Sequence, residues 1–156
     1  MTRTTLAEEI KQSKPFSSLQ QEVYLSILRT ADELHSRVAT LLKPFGVSTT
    51  QYNVLRILRG AGSNGHRCSE IAERMITREP DITRLLDRMA KAGWITQSRD
   101  TDDRRVVITR ITPEALKLLK EIDKKIVELD RNFMANISEK KLKTILSLMD
   151  EVRSGE

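Results

Sequence analysis

Residues 81–111 read DITRLLDRMAKAGWITQSRDTDDRRVVITRI, and the pattern changes repeatedly along them. At about 100° per residue from Ile82, Leu85, Leu86 and Met89 share one face of a helix, whereas Thr83, Arg84, Asp87, Arg88 and Lys91 spread over the other. One side is core and the other is available for contact. Gly93 stops this helix, Trp94–Ser98 reads as a short strand and Arg105–Ile111 as its antiparallel partner. The charged run from Arg99 then becomes the tip of a β-hairpin, and the β-branched residues behind it form the strand that aims it.

Upstream, Pro80 suits a helix's first turn, where its missing N–H costs nothing, so the helix is expected over Pro80–Ala92. Ser69–Met75 is too short to be stable alone and reads as the first half of a helix pair. Before it, Gly60-Ala-Gly-Ser-Asn-Gly-His66 is expected to be a loop. Ser48 and Gln51 have the form of a capping box for a helix through Tyr52, Val54, Leu55, Ile57 and Leu58. Leu19, Val23, Ile27, Ala31, Leu34, Val38 and Leu41 have the three-and-four spacing of one long amphipathic helix within Phe16–Leu42, ended by Pro44 and Gly46. Residues 1–14 are polar and expected to be a flexible arm.

Downstream, Thr112 is a good N-cap and Pro113 a good first-turn residue for a helix through Leu116, Leu119, Ile126, Leu129 and Phe133. Ser138 can cap a last helix with Leu142, Ile145, Leu146, Met149 and Val152 on its apolar side. The predicted fold class is mainly α with a small β-hairpin, in the order α, α, α, α, β, β, α, α. A single domain is expected over residues 15–153, with a central unit over 48–111 between helical segments 16–43 and 113–153.

Composition narrows the function. The chain has 156 residues, enough for one domain with a real core, and its 27 Lys and Arg against 22 Asp and Glu give a formal charge of +5. That balance is compatible with a polyanionic partner. The single cysteine, Cys68, makes an internal disulfide impossible and a zinc cluster implausible, which suits a reducing compartment. His35 and His66 are isolated from other ligands at metal spacing. No apolar run approaches the roughly 18 residues of a membrane span and the N-terminus lacks an apolar signal segment, so a cytoplasmic protein with no membrane association is expected. Paired catalytic carboxylates, a nucleophile triad and a glycine-rich phosphate loop are all missing, so neither an enzyme nor a cofactor is expected.

A short helix, a turn, a second helix with an exposed cationic face and then a charged hairpin is the order of a winged helix-turn-helix. An α-helix fits the DNA major groove, while an extended loop with Arg at its tip follows the backbone or enters the minor groove. Ser69-Glu-Ile-Ala-Glu-Arg74, the helix Asp81–Ile95, the wing Asp100-Thr-Asp-Asp-Arg-Arg-Val-Val107 and Ile111-Thr-Pro-Glu-Ala115, in that order, resemble the multiple antibiotic resistance regulator (MarR) family. The similarity runs from Phe16 to Val152.

The resemblance implies a homodimeric bacterial transcription regulator, usually a repressor, whose N- and C-terminal helices intertwine. By motif, Ser69–Met75 and Pro80–Ala92 are the helix-turn-helix, and Thr83, Arg84 and Arg88 match positions that face DNA. Asp103 and Arg105 match the wing's Asp-x-Arg, in which the acid steadies an Arg that reaches the minor groove; Arg104 between them is a second cation. The predicted interface comprises Asp81, Thr83, Arg84, Asp87, Arg88 and Lys91 on the recognition helix and Arg99, Asp103, Arg104 and Arg105 in the wing, with Ser69, Thr77 and Arg78 as further contacts. The family's crevice between dimer helices and winged unit takes a small anionic or aromatic effector, and His35 and Tyr52 are placed near it or else in packing. The chain departs from the pattern at Thr77-Arg-Glu-Pro80, at Pro113-Glu-Ala, and in having no cysteine near the start of its long first helix.

Duller readings stand beside these. Arg84 and Arg88 can be surface cations helped by a neighbouring acid such as Asp87, and Asp103 and Arg105 can keep a sheet edge soluble. Cys68 fits a small buried residue at a helix start. A winged-helix module meeting an acidic protein surface is the alternative to operator binding. Dimerisation has support apart from the family, because the flanking helices present more apolar stripe, including Leu19, Val23, Ile27, Leu142, Ile145, Leu146 and Met149, than a small central unit can cover. A two-fold dimer would read a pseudo-palindrome with half-sites about 10 base pairs apart.

Overall fold

The structure is a computed structural model that describes residues 5–101 and 103–155. They form two compact units, one ending at Thr49 and the other starting at Thr50.

The first unit contains α1 (Leu6–Glu9) and α2 (Leu19–Leu42). The turn of α1 lies within the segment expected to be a flexible arm, and its capping box is made by Thr5 and Glu8. Helix α2 starts three residues after Phe16, because the Ser18 side chain accepts the Gln21 N–H and so fixes the first turn there. A 3-10 turn over Lys43–Phe45 and Gly46 at φ 67° close it, as Pro44 and Gly46 predicted.

The second unit holds nearly all of α3 (Thr49–Ala61), then β1 (His66–Arg67), α4 (Cys68–Arg74), α5 (Ile82–Lys91), β2 (Ile95–Arg99), β3 (Val107–Ile111), α6 (Pro113–Met134) and α7 (Glu139–Ser154). Its core takes Val54, Leu55 and Leu58 from α3, Ile71 from α4, Leu85, Leu86 and Met89 from α5, Ile95 and Ile108 from the sheet, and Leu119 and Ile122 from α6. These are the positions that helical and strand periodicity sends inward.

The sheet has three strands in the order β1-β3-β2, all antiparallel. The sequence reading expected two strands and left His66 at the end of a loop. Instead His66 and Arg67 pair with Thr109 and Ile108. Gly65 makes this approach feasible: its φ is +70°, and a Cβ there would lie 2.5 Å from the Thr109 carbonyl oxygen.

Thr112 joins β3 to α6 and locks both onto the end of α5. Its N–H donates to the Trp94 carbonyl at 3.0 Å, its hydroxyl donates to the Gly93 carbonyl at 2.9 Å, and that hydroxyl also caps the Ala115 N–H at 3.2 Å. The wing therefore leaves and rejoins the helical unit at neighbouring points. A second link joins α3 to α6, where Asp123 accepts the Tyr52 hydroxyl at 3.3 Å and pairs with the Arg59 guanidinium.

Candidate nucleic-acid interface

Helix α5 divides as its sequence does. Leu85, Leu86 and Met89 are buried, and Thr83, Arg84, Asp87, Arg88 and Lys91 are exposed. It begins at Ile82, two residues after Pro80, because the Asp81 carboxylate accepts the Arg84 N–H at 3.2 Å and ends the preceding turn. Asp81 is thus an N-cap, and it also pairs with the Arg84 guanidinium at 3.3 Å. That pair is exposed and worth little in stability, since the Arg84 side chain keeps 84% of its accessible surface. It orients Arg84 without burying it.

Helix α4 is presented to α5 through Ile71, while Ser69 stays on the exposed side. The Cys68 sulfur lies 3.9 Å from the Thr83 hydroxyl, so the starts of the two helices meet. Glu70 accepts the Arg67 N–H at 2.7 Å and lies 3.5 Å from His66 Nδ1. The backbone N–H of Arg67, helped by the charges of His66, Arg74 and Arg67, holds the Glu70 carboxyl below the usual carboxylate range. Between the helices, Thr77 and Arg78 are exposed, and the Ile76 N–H donates to Asn53 Oδ1 of α3 at 2.9 Å.

The wing is built largely from its own polar groups. The Arg99 guanidinium donates to the Arg104 carbonyl at 2.6 Å. Asp103 receives the Arg105 N–H on its carboxylate and the Val106 N–H on its carbonyl, both at 2.9 Å, while its own N–H donates to Asp100. Such Asx-type bonds set a turn without a ladder. Behind the tip, Arg110 spans the sheet, with Nε donating to the Ser63 carbonyl at 2.9 Å and its guanidinium to the Ser98 hydroxyl at 2.8 Å.

Arg78, Arg88, Lys91, Arg104 and Arg105 have no ion-pair or hydrogen-bond partner for their side chains among the described residues. Cations left uncommitted on one helix face and one hairpin tip are suited to phosphates and base edges. Arg99 differs, because part of its bonding capacity is used inside the wing.

His35 and Tyr52 each have a partner within their own unit. His35 Nε2 lies 3.1 Å from the Thr49 hydroxyl, and Tyr52 is bound to Asp123. Burial pushes the Tyr52 phenol up from its ordinary value. No group of three or more His, Cys, Asp or Glu among the described residues could hold a metal ion. No described helix is long and apolar enough to cross a membrane.

Sequence reasoning did not single out Asn53, Arg110 or Asp123. Asn53 and Arg110 lie within apolar-rich runs and have no motif of their own.

Residues 47–107 match the model of the MarR family. Among curated relatives, the uncharacterized helix-turn-helix transcriptional regulator YwoH of Bacillus subtilis is 32% identical over 95 residues, covering 61% of this chain and 67% of its own length. The crystal structure of a MarR transcription factor from Planctomyces limnophilus is 34% identical with TM-score 0.66, spanning 87% of this chain and 98% of that one. The S. aureus MepR–DNA complex superimposes with TM-score 0.77 at 19% identity, over 85% of this chain and 98% of that one, a likeness of fold.

Proposed function

The chain belongs to the MarR family of DNA-binding transcription regulators, and we propose that within it this protein is a homodimeric repressor of a pseudo-palindromic operator. The observation that carries the reading is the uncommitted cationic set: Arg88 and Lys91 on α5, Arg78 before it, and Arg104 and Arg105 at the wing tip. Helix α5 takes the major groove, with Thr83, Arg84 and Arg88 at base edges. Asp81 orients Arg84, Asp87 and Lys91 flank the groove, and Ser69, Thr77 and Arg78 meet the backbone. The wing follows the adjacent minor groove.

Homodimerisation is supported by the apolar surface a single chain leaves open. Leu19 and Val23 on α2 are 72% and 46% exposed, and Ile145 and Leu146 on α7 are 40% and 65% exposed. Ile27, Leu142 and Met149 beside them are half-buried. A second copy covering these stripes would exclude water from them and set two α5 helices about one DNA turn apart. A bacterial cytoplasm is the setting this role requires. A small anionic or aromatic effector completes the proposal, and it would release DNA only to the extent that it prefers a different helix spacing.

The test is to select genomic fragments with the purified protein, sequence them, and measure binding to the selected duplex against competitor DNA as salt rises. Repression predicts a selected pseudo-palindrome upstream of genes whose transcription rises on deletion, with affinity falling steeply with salt. Retention of no preferred fragment would sink operator binding and favour a module that meets an acidic protein surface. Sedimentation at the binding concentration reads the dimer directly.

A further inference from the structure

We infer that Asn53, on α3 and outside the predicted DNA-contacting set, is a positioning residue that sets the segment carrying Thr77 and Arg78 for DNA; this rests on the DNA-binding reading above. Residues 75–81 join α4 to α5 without regular structure. Met75 ends α4 with extended backbone, at ψ 133°, so the next N–H has left the helical ladder. That N–H, of Ile76, donates to Asn53 Oδ1 at 2.9 Å, a bond between residues 23 apart in the chain.

The other bonds of this segment are local. Met75 N–H reaches back to the Ala72 carbonyl at 3.3 Å, and Asp81 N–H reaches the Glu79 carboxylate at 3.4 Å. Among the described residues, the Asn53 bond is the one that ties the segment's backbone to a different helix. Its location matters for binding: Thr77 and Arg78 follow immediately, both exposed, and the Ile76 side chain is itself 86% exposed and supplies no anchor. Without Asn53 the backbone before Arg78 is held by little except its ends. Ordering it would then fall to the binding step, which weakens affinity.

Asn53 acts through its neighbours, so a double-mutant cycle is the decisive measurement. The probe is a duplex selected by the parent protein, used with N53A, R78A, R105A and the two doubles, and with exchange of the Ile76 amide followed by NMR. The expected result is that N53A keeps its helix content, loses protection at Ile76 and binds about fivefold to tenfold more weakly. R78A should cost less in the N53A background than in the parent, whereas R105A should cost the same in both. N53D, which keeps an oxygen acceptor, should restore protection at Ile76 and the full cost of R78A. It is the variant to rely on if N53A does not fold, with N53Q, which displaces the amide by one methylene, as its weakened counterpart.

Binding by N53A equal to the parent, or equal costs of R78A in both backgrounds when R78A weakens the parent, overturns the inference. Where N53A does not fold, the inference is likewise overturned if N53Q matches N53D in Ile76 protection and in the cost of R78A. Failure of the parent to bind any selected duplex overturns the DNA-binding reading instead. Should R78A cost the parent nothing, Arg78 is not a contact, and that part of the inference falls with it.

Discussion

The Asp103 carboxylate accepts the backbone N–H of Arg105 at 2.9 Å, and among the described residues the Arg105 guanidinium has no partner. The acid of the wing steadies the backbone turn that projects the arginine and leaves its charge free. This refines the expectation that Asp103 holds Arg105. The two possibilities, turn-former or counter-ion, differ in what each substitution should do.

A turn-former needs an oxygen acceptor and no charge. Asp103→Asn should therefore bind DNA at least as tightly as the parent, since it also removes one negative charge from the tip, whereas Asp103→Ala should weaken binding by about threefold to tenfold. Titration of the selected duplex at fixed salt checks this. Equal loss in both variants would show that the charge is what matters.

Arg105 and Arg84 should fail in different ways. Arg105→Ala should weaken binding to all sequences and lower the salt slope by about 1, while Arg84→Ala should also relax preference at one operator position, at a cost of about 1–3 kcal/mol. A panel of single-base operator variants measured at several salt concentrations separates the two. Parent-like binding by both variants would mean that the wrong faces have been assigned to DNA.

Gly65 and Gly62 make a matched pair. Both have positive φ, +70° and +58°, but a Cβ on Gly62 meets nothing within 4 Å, whereas one on Gly65 lies 2.5 Å from the Thr109 carbonyl oxygen. Gly62→Ala should cost about 1 kcal/mol, from backbone conformation alone, and Gly65→Ala roughly 3 kcal/mol or more, because β1 must move off β3. Thermal unfolding should show a drop of about 10 °C for the second. Similar midpoints for the two variants would argue against the close approach.

Glu70 should lend the fold a pH dependence of definite sign. Its carboxyl is held below the ordinary value of 4.5 by the Arg67 N–H. A lowered folded-state value means that the unfolded chain binds more protons in that range, so the contribution is present above 4.5 and is lost as pH falls through the folded value. Glu70→Gln keeps the acceptor and removes the titration. Its stability difference from the parent, measured by denaturant unfolding, should shrink steadily below pH 4.5 and be constant at neutral pH. A difference that grows on acidification would reverse the assignment.

The amino-acid sequence by itself determined which residues of α5 turn inward, that a charged hairpin follows, that Thr112 and Pro113 open α6, and that Pro44 and Gly46 close α2. These features depend on the period of a helix, the pleat of a strand, and capping or turn chemistry within a few residues, so neighbours in the chain carry the whole signal. Only the tertiary structure decided that His66 and Arg67 join the sheet, that Asn53 holds the Ile76 N–H, that Arg110 spans from Ser63 to Ser98, and that Asp123 links α6 to Tyr52 and Arg59. Each of those pairs residues distant in sequence, and a two-residue strand or a lone polar side chain has no period to betray it. The start of α5 at Ile82 lay between these cases: Pro80 placed the opening within two residues, and the bond from Arg84 N–H to the Asp81 carboxylate fixed it at Ile82.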